Sequence, residues 1–356
     1  MDESLFYKLL VLRTKGIGAV KYRELIQGCG GAEAAAEALA ISGGQMDAVR
    51  REMELAESLG VKYVADDSND FPKIYKAARN HAPIISVRGN IETLGKKTIG
   101  MVGTRHATAA GMKFMSLLAR EFAEHDFAVV SGMAMGTDAA AHSGALSAPG
   151  DSETIAVLAG GVDYIWPLEN EKLYHEIVER GCVVSDMPVG SVPVQNNFIA
   201  RNRIVAGLSE RLILGEADEK SGSVSTANFA LELGRGLWAV PAHPSDERSV
   251  GPNRFIQDGR AKLCAGASDF FAAGTRPDSE EKKRPMNALL DLIGSVPVSE
   301  SVLTSLAKKS AAETMAGLVM LELDGLVKKV SGGYVRAPGG GVYTPKNPAF
   351  SESEVK

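Results

Sequence analysis

The sequence predicts an α/β protein built on an extended, Rossmann-like parallel sheet. A helical module of helix-hairpin-helix (SAM-like) type should precede the sheet, and a winged helix should follow it. Three observations carry this expectation. Seven apolar strands alternate with helical patterns between residues 98 and 266. Near the N-terminus, Gly16-Ile17-Gly18 separates two amphipathic stretches. Beyond the charged run RPDSEEKKRP (276–285), two or three helices and a short hairpin follow in winged-helix order. At 356 residues the chain exceeds one ordinary domain, and two or three are expected.

Residues 1–60 read as the helical module, where a G-I-G turn between helices can offer backbone amides to a phosphate. After Gly60, VKYVAD and APIISVRG are short β-like pieces that lead into the next domain. The α/β domain is assigned to 61–275. Its strands are TIGMVGTR (98–105), FAVVSGM (127–133), TIAVLAGG (154–161), CVVSDMP (182–188), RLILGEA (211–217), LWAVP (237–241) and AKLCAG (261–266). Helical patterns such as ATAAGMKFMSLLAREFAEH and SVSTANFALELGR lie between them. The linker is placed at 276–285, the winged helix at 286–337, and a Gly- and Pro-rich tail, expected to be disordered, at 338–356.

Composition narrows the function classes. Hydrophobic residues make up 45% and charged residues 23%, as in soluble globular proteins. MDESLFYKLL is acidic and lacks a long apolar core, so no signal peptide is expected, and no apolar run reaches the ~20 residues of a membrane span. Cys29, Cys182 and Cys264 are scattered without metal spacing, which suggests reduced thiols in a cytoplasmic protein. Net charge is −5. Lys and Arg number 12 against 13 acids over 1–92, 16 against 21 over 93–275, and 9 against 8 over 276–336. A nucleic-acid site must therefore be a local basic pocket on a neutral or acidic background.

Ligands of open α/β sheets bind beyond the carboxyl ends of the strands. Here those ends read Gly103-Thr104-Arg105, Ser131-Gly132, and Gly160-Gly161, while Ser221-Gly222-Ser223 follows the strand that leads to Glu216. Glycine allows close backbone approach and helix N-termini supply unpaired amides, so several such turns at one edge predict a phosphate-bearing ligand. The stretch FIARNRIVAGLS adds Phe198, Arg201, Asn202 and Arg203. Arginines two residues apart entering a helix point in different directions. One can reach a phosphate with its fork while the other pairs internally, with Glu216 or Asp186 as candidate partners. Phe198 offers a face for an unpaired base.

Other chemistries find no complete motif. GxGxxG is missing from the first strand, and the second ends in Ser-Gly-Met-Ala rather than an acid for a ribose; no Walker loop, GxSxG elbow or HExxH occurs. No catalytic residue, cofactor or metal is expected. Asp138 and His142 lie four apart in GTDAAAH. They read either as an acid/base or metal-ligand pair, or as a helix-start carboxylate hydrogen-bonded to its neighbour.

VGTR, SGMAMGTDAAAH, TIAVLAGGVDYIWPLEN, SDMPVGSVP, FIARNRIVAGLS, SGSVSTANFALELGR, WAVP and SVGPNRFIQDG recur in one order. Together they resemble the DNA-processing protein A (DprA/Smf) family over roughly residues 60–265. The resemblance implies a non-enzymatic mediator of natural transformation and recombination. Such a protein binds and protects single-stranded DNA, loads the RecA recombinase and dimerises through the Rossmann-like domain. It also implies a DNA pocket centred on Arg105, with Phe198, Arg201 and Arg203 from the FPxRNRI-like motif. Ile199 replaces that motif's proline, and Gln195 and Glu169 stand where other members can carry lysine. The competing expectation is a nucleotide-cleaving phosphoribohydrolase-like enzyme, or a nucleotide sensor, on a related fold. Against the enzyme, SGSVSTANFALELGR has neither the double glycine of PGGxGTxxE nor a glutamate at that motif's offset.

Overall fold

The computed structural model describes residues 2–271, 289–294 and 296–337. The chain divides into two compact units, Met1–Gly274 and Thr275–Lys356. The expected linker at 276–285 and the tail at 338–356 lie outside the described residues.

The first unit opens with four helices: α1 (Glu3–Leu12), α2 (Ala19–Cys29), α3 (Ala32–Ala38) and α4 (Gly43–Ser58). Asp2 and Ser42 cap α1 and α4, accepting hydrogen bonds from Leu5 N and Gln45 N. Residues 13–18, with the Gly16-Ile17-Gly18 turn, join α1 to α2. Leu9, Leu10, Ala35 and Val49 close a small apolar core. The chain continues through β1 (Lys62–Ala65), α5 (Lys73–Lys76), β2 (Ile84–Gly89), β3 (Lys97–Val102), α6 (Ala109–Glu124), β4 (Phe127–Ser131), α7 (Thr137–Leu146), β5 (Thr154–Val157), α8 (Glu171–Arg180) and β6 (Cys182–Ser185). It completes the unit with α9 (Gln195–Leu208), β7 (Arg211–Leu214), α10 (Gly222–Glu232), β8 (Gly236–Ala239), α11 (Val250–Gln257), β9 (Lys262–Leu263) and α12 (Ser268–Phe271).

Nine strands form one sheet in the order β1-β2-β6-β5-β4-β3-β7-β8-β9. The seven expected strands, β3 to β9, pair with one another in parallel throughout. The β-like lead-in pieces VKYVAD and APIISVRG are strands that extend the same sheet, with β1 antiparallel to β2 and β2 antiparallel to β6. That second pairing links residues about a hundred positions apart, which local periodicity cannot encode.

Alternation along each strand feeds two cores. On one face Val102, Val130 and Leu212 pack with Val205 and Leu208 of α9 and Ala227 and Ala230 of α10. On the other, Ile99, Met101, Val129 and Ile213 meet Met115, Leu118 and Phe122 of α6 and Ala141 and Ala145 of α7. Met115, Leu118 and Phe122 follow a helical stripe, and burying each such side chain contributes about 1.5–3 kcal/mol. From β3 the chain steps out to β4, β5 and β6, then returns to the other side of β3 as β7. The connections after β3 and β7 thus diverge to opposite faces, and the crevice between them is the sheet's switch point.

The second unit contains a 3-10 turn at Leu290–Leu292, α13 (Glu300–Ala307), α14 (Ala311–Leu323) and the hairpin β10 (Val327–Val330)–β11 (Gly333–Arg336). This is the expected winged helix. Its helix α14, AAETMAGLVMLEL, carries no Lys or Arg and exposes Met315, Val319 and Leu323.

Candidate nucleic-acid interface

A cavity of about 250 Å³ opens at the switch point, among the ends of β3 and β4 and the N-terminal parts of α9 and α10. Gly103, Arg105, Gly132, Phe198, Arg201, Asn202, Ser221, Gly222 and Ser223 all line it. Sequence reasoning thus brought together nine residues from four separate segments. Thr104, His106, Ala134 and Thr226, none of them among the expected binding residues, also line the wall.

The floor is made by close approach. A side chain at Gly103 would strike Thr137, and one at Gly132 would strike the Arg201 guanidinium and Asp138. Thr104 is threaded between neighbours, its amide donating to Glu216 O at 2.6 Å and its carbonyl accepting from Thr137 N at 3.2 Å. Ser221 caps α10 by accepting from Val224 N at 3.3 Å, and Ser223 Oγ donates to Gly103 O at 2.6 Å. The first-turn amides of Gly222 and Ser223 have no intrahelical acceptor, so they and the helix dipole present positive potential at the rim. Gly222 is exposed, and a side chain there would begin 3.7 Å from Asn202 Nδ2.

The two arginines of α9 have different fates. Arg201 is buried, its Nη1 donating to the carbonyls of Gly132 and Val157 and its Nε to Asn202 Oδ1. Asp138 faces it. Burial raises the Asp138 carboxyl and Arg201 opposes that shift. Burial likewise lowers Arg201, with Asp138 opposing and Arg105 adding to the effect. This corrects the expected partners. Glu216 instead accepts from the Thr108 amide and hydroxyl at the start of α6, and the Asp186 carbonyl accepts from Arg13. Arg203 leaves the cavity altogether. It lies over the Phe229 ring at 4.3 Å and reaches Glu232 at 4.0 Å, because residues two apart on a helix are some 200° apart. Ser131 is a second departure, since it is fully buried and its Oγ donates to Met101 O at 2.6 Å. Asn202 Nδ2 donates to Gly222 O at 3.1 Å, tying α9 to α10.

Asp138 and His142 are not a pair. Asp138 accepts from Ala134 N, and His142 Nδ1 engages Thr154 Oγ1 at 2.7 Å. Burial holds the His142 imidazole down at about 3, so it is neutral.

Arg105 is exposed at the mouth. Its guanidinium lies 4.9 Å over the Trp166 ring and 5.7 Å over Phe198, and those rings meet edge-to-face at 4.8 Å. No ion pair or side-chain hydrogen bond anchors Arg105 among the described residues. Trp166 was missed as a site residue, although it follows the third parallel strand's end at the same sheet edge. The available signal was an aromatic inside GGVDYIWPLEN. Among the described residues no cluster of three or more His, Cys, Asp or Glu could hold a metal ion, and no helix is long and apolar enough to cross a membrane.

Three family models cover most of the chain: DNA recombination-mediator protein A over residues 62–274, a DprA-like N-terminal HHH domain over 2–56, and the DprA winged helix domain over 273–333. The DNA processing protein DprA of Bacillus subtilis is 36% identical over 213 residues, covering 60% of this chain and 71% of that one. The match to protein Smf of Synechocystis, 34% identical, spans only 55% of that protein's length and 61% of this chain. The X-ray structure of DprA from Streptococcus pneumoniae superposes with a TM-score of 0.61 at 28% identity, covering 76% of this chain and 94% of the other. A structure described for the single-stranded DNA binding mode of DprA from Helicobacter pylori gives a TM-score of 0.54 at 29% identity, covering 59% and 93%. With the ordered motifs, the fold and these matches in agreement, the chain belongs to the DNA-processing protein A (DprA/Smf) family.

Proposed function

We propose that this chain binds single-stranded DNA at the Arg105 cavity and acts as a mediator that protects the strand and hands it to a recombinase of the RecA type. One observation carries the reading. A free guanidinium sits on two aromatic rings at the mouth of a glycine-floored cavity whose wall includes a helix N-terminus. Backbone charge and a π-face side by side are what unpaired nucleic acid requires, and a blunt duplex hides its bases from the rings. The net charge of −5 argues against bulk electrostatic binding and favours this local pocket. The relative from Helicobacter pylori, described by its single-stranded DNA binding mode, supports the ligand class.

RecA loading, a homodimer and a non-enzymatic role are the finer parts of the proposal, and they rest on the family. A gel-shift series with single-stranded DNA, duplex and RNA oligonucleotides at several salt concentrations tests the ligand. Preference for the single strand is expected, and equal affinity for a blunt duplex of the same length would overturn the proposal. Release of free base from nucleoside monophosphates would move the reading to the phosphoribohydrolase-like alternative.

A further inference from the structure

Trp166 occupies the loop between β5 and α8, half-buried, with its ring against Phe198 at 62° and the Arg105 guanidinium over it. The loop that carries it is firmly held. Ser185 Oγ donates to Gly160 O at 2.6 Å, Gly190 N donates to Asp163 Oδ1 at 2.8 Å, and Asn170 Nδ2 donates to Met133 O at 2.8 Å. Two tilted rings, one on a firmly held loop and one on a helix, make a cleft. The cleft is filled by the most weakly anchored cation of the site. An exposed cation–π contact is worth less than a base–aromatic stack, so an incoming base can replace the guanidinium.

We propose that Trp166 is a nucleobase-stacking platform: Arg105 covers it in the free protein, and an unpaired base takes its face when the guanidinium turns to a backbone phosphate. The proposal rests on the single-stranded DNA reading and adds to it a base-contacting residue and an exchange step. The same arginine then serves twice, keeping the apolar rings covered before binding and holding the strand afterwards. Because the platform is rigid, stacking on it costs little ordering.

The chain has two tryptophans, and the other, Trp238, lies outside the cavity at 7% exposure, packed on Phe270 at 4.5 Å. A Trp238→Phe variant therefore leaves Trp166 as the sole indole fluorophore in the full chain. Oligo(dT) is expected to quench it strongly and an abasic oligonucleotide of equal length weakly. In parallel anisotropy titrations, Trp166→Ala is expected to lower oligo(dT) affinity roughly 5- to 100-fold and leave abasic affinity unchanged, with Trp166→Phe recovering part of the loss. Equal quenching by both oligonucleotides, or a Trp166→Ala variant that keeps the parent's preference for oligo(dT), overturns the platform. If the parent binds neither oligonucleotide, the single-stranded DNA reading falls and the platform with it. If it binds both alike, only the platform falls. Thermal melts of the three variants separate impaired stacking from impaired folding, and Trp166→Phe preserves the test if the alanine variant unfolds.

Discussion

Replacing Arg105 with alanine separates binding from folding, because this arginine contributes less to stability than it should to binding. It is exposed and held by two cation–π contacts, to Trp166 and Phe198. Exposed contacts of this kind contribute about 0.5–1 kcal/mol each, so the variant should lose at most about 2 kcal/mol and melt only a few degrees early. Binding should suffer more. A charged, hydrogen-bonded phosphate contact is worth about 1.5–3 kcal/mol, or roughly 10–100-fold in affinity. For a single strand, each phosphate that the protein no longer neutralises also takes about 0.7 off the log–log salt slope. Anisotropy titrations with oligo(dT) at four or five salt concentrations, run beside thermal melts, read both quantities. Arg105→Lys should restore part of the charge term without the bidentate geometry. A stable Arg105→Ala variant with unchanged affinity and slope would refute the reasoning.

Arg201→Ala should behave in the opposite way. It removes bonds to the Gly132 and Val157 carbonyls and leaves Asp138 buried without its cation, a loss of about 3–5 kcal/mol to be measured by urea unfolding. Buried His142 gives a pH signature. Its folded-state value of about 3 lies below the unfolded 6.5, so the unfolded chain gains protons first and stability falls as pH drops through that window. Between pH 7.5 and pH 5 the parent should lose about 2 kcal/mol more than a His142→Gln variant, and equal losses in paired denaturant melts would contradict this. Removing residues 286–356 should leave oligo(dT) affinity within about twofold, since α14 carries no basic residue and exposes Met315, Val319 and Leu323 beside Glu313 and Glu322. A tenfold loss in the truncated, folded protein would show that the second unit carries part of the site.

The parallel strands were legible because strands buried on both faces are near-continuous apolar runs that helical patterns cannot imitate. The site's glycines were legible for a related reason: turns at the carboxyl ends of such strands converge on one edge. What the sequence hid is long-range. β1 and β2 were seen as strand-like, but their antiparallel place beside β6 depends on residues a hundred positions away. The divergence of Arg201 and Arg203 follows from helical geometry alone. Which one turns inward depends on the carbonyls that Gly132 and Val157 present, and those come from two other strands' ends. Ser131 looked available because it ends a strand, yet its hydroxyl is consumed by the neighbouring strand's Met101. Trp166 was passed over because a lone aromatic in a loop carries no periodic signal, and only the fold sets it against Phe198 and Arg105.

The central claim is that single-stranded DNA lies in the Arg105 cavity, and amide hydrogen exchange of the full chain with and without saturating oligo(dT) tests it most directly. Protection should concentrate in peptides covering residues 103–107, 131–136, 196–203 and 220–226, the segments that converge on the cavity, with 311–336 unchanged. Protection confined to the second unit, or spread over the first without those segments, would contradict the account.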